Sequence, residues 1–142
     1  MKKIITISIL FPLFAFAGLD ISKINFALSS IKLSKLSSLP LKFYNNNKSL
    51  NLNKKLRFTS KTSADIILFP TRKNINKAFI VDSYKALKKY KNSIGAIYIK
   101  KGRTQIVFVK ERLENSGFKL MDKARKYLIE ECKLQAICLL ER

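Results

Sequence analysis

The chain has 142 residues, with 29 Lys and Arg against 9 Asp and Glu, a net charge of +20, no His, two Cys and four Gly. That length suits a single domain. The lack of His excludes Ser-His and Cys-His nucleophile arrangements, and four scattered glycines leave no room for a GxGxxG or P-loop phosphate cradle.

The first seventeen residues read as a cleavable export signal of bacterial style. Lys2 and Lys3 give the positive start. Ile4 to Phe16 is apolar apart from Thr6, Ser8 and Pro12, and Ala15-Phe16-Ala17 is a small-x-small cleavage site. The run is shorter than the ~20 residues that a membrane span needs. No Cys follows the site, so no lipid anchor is indicated. The mature domain, 18–142, is then expected in the periplasm, with about 125 residues to build one modest core. Its positive balance would ordinarily suggest nucleic acid or an anionic surface. An exported protein rarely meets nucleic acid, which sets that partner aside. The Lys, Asn and Ile bias also fits an AT-rich genome, so a solvated lysine-rich surface accounts for the charge.

From Leu19 to Leu39, Ile21, Ile24, Ala27, Leu28 and Ile31 form a helical stripe that Leu33, Leu36 and Leu39 continue. Five serines between 29 and 38 weaken it, and Pro40 stops it. Asn45 to Asn47 is placed as a loop. Leu50 to Asn53 and Lys55 to Thr59 are weak strand candidates near an edge. Ala64 to Phe69, ADIILF, is a better strand whose continuous apolar run suits the middle of a parallel sheet.

Lys77 to Ile129 organises the rest. Ala78 to Val81 predicts a buried strand. Asp82 or Ser83 can cap a short helix with Tyr84, Leu87 and Tyr90 on one face. Ile94 to Ile99 and Thr104 to Val109 predict a hairpin, with Gly102 supplying positive φ at the turn. Both hairpin faces are apolar, so the hairpin is expected to be central and covered on each side. Glu111 to Ser116 predicts one or two helical turns closed by Gly117 at C′. Phe118 to Leu120 is an extended arm. Asp122 can cap a last helix whose inner face is Ala124, Tyr127 and Leu128.

This stretch resembles the YfiR family, periplasmic repressors of a membrane-bound diguanylate cyclase, over roughly residues 65 to 130. The counterparts are FIVDSYKAL, Ile94-Gly95-Ala96-Ile97, Gly102-Arg103, Ile106 to Lys110, Ser116-Gly117-Phe118 and Ala124 to Ile129. Val109-Lys110 stands where the family has an Asn, and Leu39-Pro40 where it has Trp-Pro, which puts Leu41 to Tyr44 in the place of the strand that follows in the family. The resemblance implies an α/β fold: a small, truncated Rossmann-like sandwich with a mostly central sheet flanked by helices. It implies a non-enzymatic regulator, without cofactor, that contacts the periplasmic part of an inner-membrane sensor or cyclase. Formation of a homodimer stays open.

Cys132 and Cys138 are a disulfide candidate, since an oxidising compartment favours pairing. Six apart on one continuous helix they would face different directions, so pairing needs the helix to end near Cys132. Two free, half-buried thiols are the alternative. Two sulfurs without His argue against a metal site. Lys100, Lys101 and Arg103 at the hairpin tip are the anion-binding candidate, against the alternative of a charged tip that keeps an edge soluble. They support a second function, a small periplasmic solute-binding module for an anionic ligand held at strand ends. Gly95, Gly102 and Gly117 are the candidate structural-turn glycines. Ser29 to Lys32 and Ser116 to Lys119 have serine–lysine dyad spacing, which chance explains in so Ser- and Lys-rich a chain. Glu130-Glu131 is expected as a surface pair.

Overall fold

The computed structural model describes residues 18–35, 40–52 and 56–138. The expected signal segment, residues 1–17, lies outside the described residues, as do 36–39 and 53–55. In chain order the elements are α1 (Ile21–Ser29), β1 (Ile31–Leu33), β2 (Lys42–Asn45), β3 (Arg57–Phe58), β4 (Ile66–Leu68), β5 (Ala78–Val81), α2 (Tyr84–Lys89), β6 (Ser93–Lys100), β7 (Arg103–Val109), α3 (Lys110–Asn115), β8 (Phe118–Leu120), a 3-10 helix (Asp122–Tyr127), β9 (Leu128–Ile129) and α4 (Glu131–Leu134).

Seven strands form one sheet in the order β3-β2-β4-β5-β6-β7-β9. The first five in that order are parallel; β7 runs antiparallel to β6, and β9 is parallel to β7. The fold is therefore mixed α/β around a central, mostly parallel sheet, as the sequence leads one to expect. The chain begins at β2, steps outward to β3, then crosses back to β4 and proceeds the other way. Between β2 and β4 its direction of travel reverses.

Each face of the sheet has its own core. On one, Phe43, Ile66, Leu68, Ile80, Ile97, Ile106 and Phe108 pack against Ile24, Ala27 and Leu28 of α1 and Ala124 and Tyr127 of the 3-10 helix. On the other, Ile67, Phe79, Val81, Ala96 and Val109 pack against Leu87 of α2 and Leu134 of α4. Burial on both faces explains why β4 to β7 read as nearly continuous apolar runs. A register shift in the β5–β6 pairing skips Ile94 and places it in the same core as Ile97, three residues away.

The hairpin closes in two residues, with Lys100 opposite Arg103. Lys101 and Gly102 have φ of +51 and +73, the two successive positive values of a type I′ turn. Ser83 caps α2, its Oγ accepting the Ala86 N–H at 3.0 Å. Gly117, at φ +83, follows the C-cap of α3.

Four expectations are corrected. The first helix ends at Ser29, well short of Leu39, because the Ser29 and Ser30 hydroxyls both bond back to the Phe26 carbonyl. Ile31–Leu33 then pairs antiparallel with Phe118–Leu120 as a separate two-stranded sheet. Leu50 and Leu52 are not strand residues. They are buried anchors in the loop from β2 to β3, packed into the core that β2 and β4 share with α1. The last helix is a 3-10 turn that ends at Tyr127, since Leu128 and Ile129 pair with Phe108 and Val109 instead. Gly95 is not a turn residue. It lies inside β6 opposite Phe108, and a Cβ there would sit 2.5 Å from Phe108 Cδ1. Close approach, not positive φ, is what this position requires.

Candidate functional site

In an open parallel sheet the connections on either side of a reversal leave in opposite directions, which opens a crevice at the carboxyl ends of the strands. Here that reversal falls between β2 and β4. A cleft of about 450 Å³ lies along this edge. Asn46 and Asn47 enter it from the end of β2, Phe69 from β4, Asp82 from β5 and Ile97 to Ile99 from β6, with Leu19 alongside.

The ends of β2 and β4 are spliced by Asn46. Its backbone N–H donates to the Leu68 carbonyl at 3.1 Å. Its Nδ2 donates to the Phe69 carbonyl and to Thr71 Oγ1, both at 3.1 Å. The Phe69 N–H donates to the Ile80 carbonyl at 2.8 Å. Phe69 is thereby held at φ +55, a left-handed conformation that costs a non-glycine residue about 1–2 kcal/mol. Such strain persists where surrounding contacts over-determine it, and it gathers at ligand edges.

Asp82 is exposed and is the sole charged residue lining the cleft among those described. Tyr98 stands 6.4 Å, ring to ring, from Tyr84. Burial, and secondarily the neighbouring Tyr84, push its phenol above the ordinary 10.0, so at neutral pH it is a hydroxyl. The cleft thus combines apolar walls with a carboxylate, two carboxamides and a phenol. That composition suits binding: a few fixed polar groups orient a ligand whose body is apolar.

Lys100, Lys101 and Arg103 cluster at the exposed hairpin tip, just past Ile99. Among the described residues none of the three pairs with a carboxylate; the ion pairs are Arg112–Glu131 and Arg125–Asp122. Cys132 and Cys138 are joined in a disulfide, with Cα atoms 4.8 Å apart. The geometric condition for it is met: α4 ends at Leu134, Ala136 takes φ +55, and the chain folds back. Glu130 lies beside this pair, with Oε2 3.7 Å from Cys132 Sγ, but the bonded sulfurs leave no thiolate to hold a metal. Neither Ser-x-x-Lys pair lies within one helix. Ser29 ends α1 while Lys32 is in β1, and Ser116 follows α3 while Lys119 is in β8.

Sequence reasoning passes over Asn46, Phe69 and the role of Arg112. Glu131 is expected on the surface; it forms a bidentate pair with Arg112, which is only 7 % exposed. The chain matches no protein-family model, no curated protein and no solved structure. What the fold and site define is a class: an α/β domain with a ligand-sized cleft at the reversal point of a mostly parallel sheet.

Proposed function

We propose that this protein is a non-enzymatic binding protein of the periplasm that modulates a membrane sensor or diguanylate cyclase, with the carboxyl-edge cleft as its ligand site. The observation that carries the binding role is the cleft itself, placed at the reversal of the sheet and floored by a strained Phe69 that Asn46 locks. The regulatory role comes from the YfiR-like motifs between Phe79 and Ile129. One feature supports export: the Cys132–Cys138 disulfide fits an oxidising compartment.

A partner is restrained by tighter binding to one of its two states. The apolar residues left over on α1 and beside the 3-10 helix supply a contact surface. Phe26 and Met121 are 37 % and 38 % exposed, and Lys123 lies 5.3 Å over the Phe26 ring. With the mature chain as bait against solubilised inner membranes, a protein carrying a GGDEF domain is expected to be retained. Phe26→Asp should release it. Retention of no membrane protein would overturn the regulatory reading.

The second reading, a solute-binding module for an anion, rests on Lys100, Lys101 and Arg103 beside the cleft mouth. Thermal stabilisation by sulfate or an organic acid that a triple Gln variant of these residues abolishes would favour it.

A further inference from the structure

The opposite, amino edge of the sheet carries a different kind of depression. Two adjoining hollows of about 400 and 260 Å³ share Lys91 and Asn92. Three separate chain segments converge on them: the approach to β5, the loop from α2 to β6, and the end of α3.

Their polar groups divide into those already engaged and those left over. The Lys77 ammonium donates to the Lys61, Thr62 and Ala64 carbonyls. The Arg112 guanidinium is spent on Glu131 and on the carbonyls of Leu87, Tyr90 and Ser93. Lys91 is also drawn, more weakly and without a hydrogen bond, by the Glu131 carboxylate. Lys89, which also lines the smaller hollow, lies over the Tyr90 ring at 5.3 Å. What remains is Lys91, Lys73, the carboxamides of Asn76, Asn92 and Asn115, and the Ser116 hydroxyl. Among the described residues, no side-chain hydrogen bond ties any of these four polar groups to the protein, Lys91 makes none, and Lys73 only reaches the Thr71 carbonyl at 3.3 Å. Among the described residues, no carboxylate lines either hollow.

A surface that gathers two ammonium groups and four uncommitted hydrogen-bonding groups from three directions is complementary to an anion with many acceptor oxygens. A carboxylate presents two oxygens in one plane. A phosphate presents three or four in a tetrahedron and carries up to two charges, so it can meet all three segments at once. Lysine serves such a group as a point charge.

We propose that this amino-edge depression binds a small phosphate-bearing anion, with Lys91 and Lys73 opposing its charge and Asn76, Asn92, Asn115 and Ser116 donating to its oxygens. This site is independent of the carboxyl-edge cleft and of the hairpin tip.

The test is an amide NMR titration of the mature chain with inorganic phosphate, with chloride balancing ionic strength throughout. Saturable shifts are expected at Asn92, Asn115 and Ser116 and at the Asn76 side-chain amide. Lys91→Gln should weaken binding at least about tenfold, as loss of one charge-assisted contact implies, and Lys91→Gln with Lys73→Gln should abolish saturation. A hairpin-tip variant, Lys100→Gln with Lys101→Gln, should bind as the parent does. Unsaturable shifts spread across the lysine surface would overturn the proposal. So would an unchanged affinity in a folded Lys91→Gln protein, and acetate binding as tightly as phosphate would overturn the phosphate assignment.

Discussion

Arg112 and Glu131 meet fork to fork, Nε to Oε2 and Nη2 to Oε1, each at 2.7 Å. The same guanidinium reaches the Leu87 and Ser93 carbonyls through Nη1, at 2.8 and 3.0 Å. One side chain of α3 thereby ties the end of α2 and the start of β6 to the first turn of α4. Planar, bidentate geometry and five donors make arginine the residue for this position.

Arg112→Ala should therefore cost about 3–4 kcal/mol, since it strands a partly buried carboxylate and several carbonyls together. Glu131→Gln should cost only about 1–2 kcal/mol, because the amide oxygen still accepts and the carbonyl contacts survive. Urea unfolding of the two variants checks the asymmetry. Equal losses would mean that the carbonyl contacts contribute nothing.

The same pair sets a pH dependence. The hydrogen bond from Arg112 pulls the Glu131 carboxyl below its ordinary 4.5, against the opposing push of burial. The folded value is depressed, so the stabilisation is present above about 4.5 and disappears as pH falls through the folded value. The stability gap between the parent and Glu131→Gln should accordingly shrink between about pH 7 and about pH 3. Urea midpoints at the two ends measure it.

A methyl group at Gly95 would lie 2.5 Å from Phe108 Cδ1 and 2.6 Å from the Val107 carbonyl oxygen. The carbonyl belongs to a paired strand and cannot step aside. Gly95→Ala should cost about 2–3 kcal/mol by overpacking. Phe108→Ala, which empties a fully buried site, should cost about 3–5 kcal/mol. Combined, the two should cost less than their sum, because truncating the ring removes one of the two clashes. Strict additivity in chemical denaturation would mean that Gly95 and Phe108 do not meet.

The hairpin and α2 are legible in the sequence because several local signals agree there. Two apolar runs of strand length, Gly102 at the turn between them and Ser83 at the cap each point to the same structure. The end of α1 is not legible. Its stripe runs on through Leu33. The serine hydroxyls that bond back to Phe26 close the last turn, but the strand that follows is held by pairing with Phe118–Leu120, more than eighty residues away. The carboxyl-edge cleft is hidden for a similar reason. Asn46 and Phe69 are 23 residues apart, and only parallel pairing of β2 with β4 brings them together. Within KERLEN, Arg112 looks like a solvated cation; nothing local marks the carbonyls that it satisfies.

Lys101 occupies the first central position of the type I′ turn at φ +51. Asparagine tolerates that region better than lysine, and Asn-Gly is the preferred pair for such turns. Lys101→Asn should raise stability by about 0.5–1 kcal/mol, read as a higher urea midpoint with an unchanged slope. A loss of stability would mean that the Lys101 side chain is held by contacts worth more than the backbone relief.

The Cys132–Cys138 bond closes a loop with a sequence separation of 6, so the chain-entropy model allows it about 2 kcal/mol. Cys132→Ser with Cys138→Ser should lose no more than that. The reason is that α4 has other anchors. Leu134 is fully buried against the core that it shares with Leu87, the Glu131 N–H donates to Glu111 Oε2 at 2.8 Å, and the Arg112 pair remains. Faster amide exchange should be confined to the turn around Gln135 to Ile137, where the Ile137 N–H bonds the Cys132 carbonyl at 2.9 Å. Exchange that spreads into β6 and β7 would show instead that the tail is coupled to the sheet through Glu131 and Arg112. Reduction would then loosen α2, and through it the Asp82 side of the carboxyl cleft.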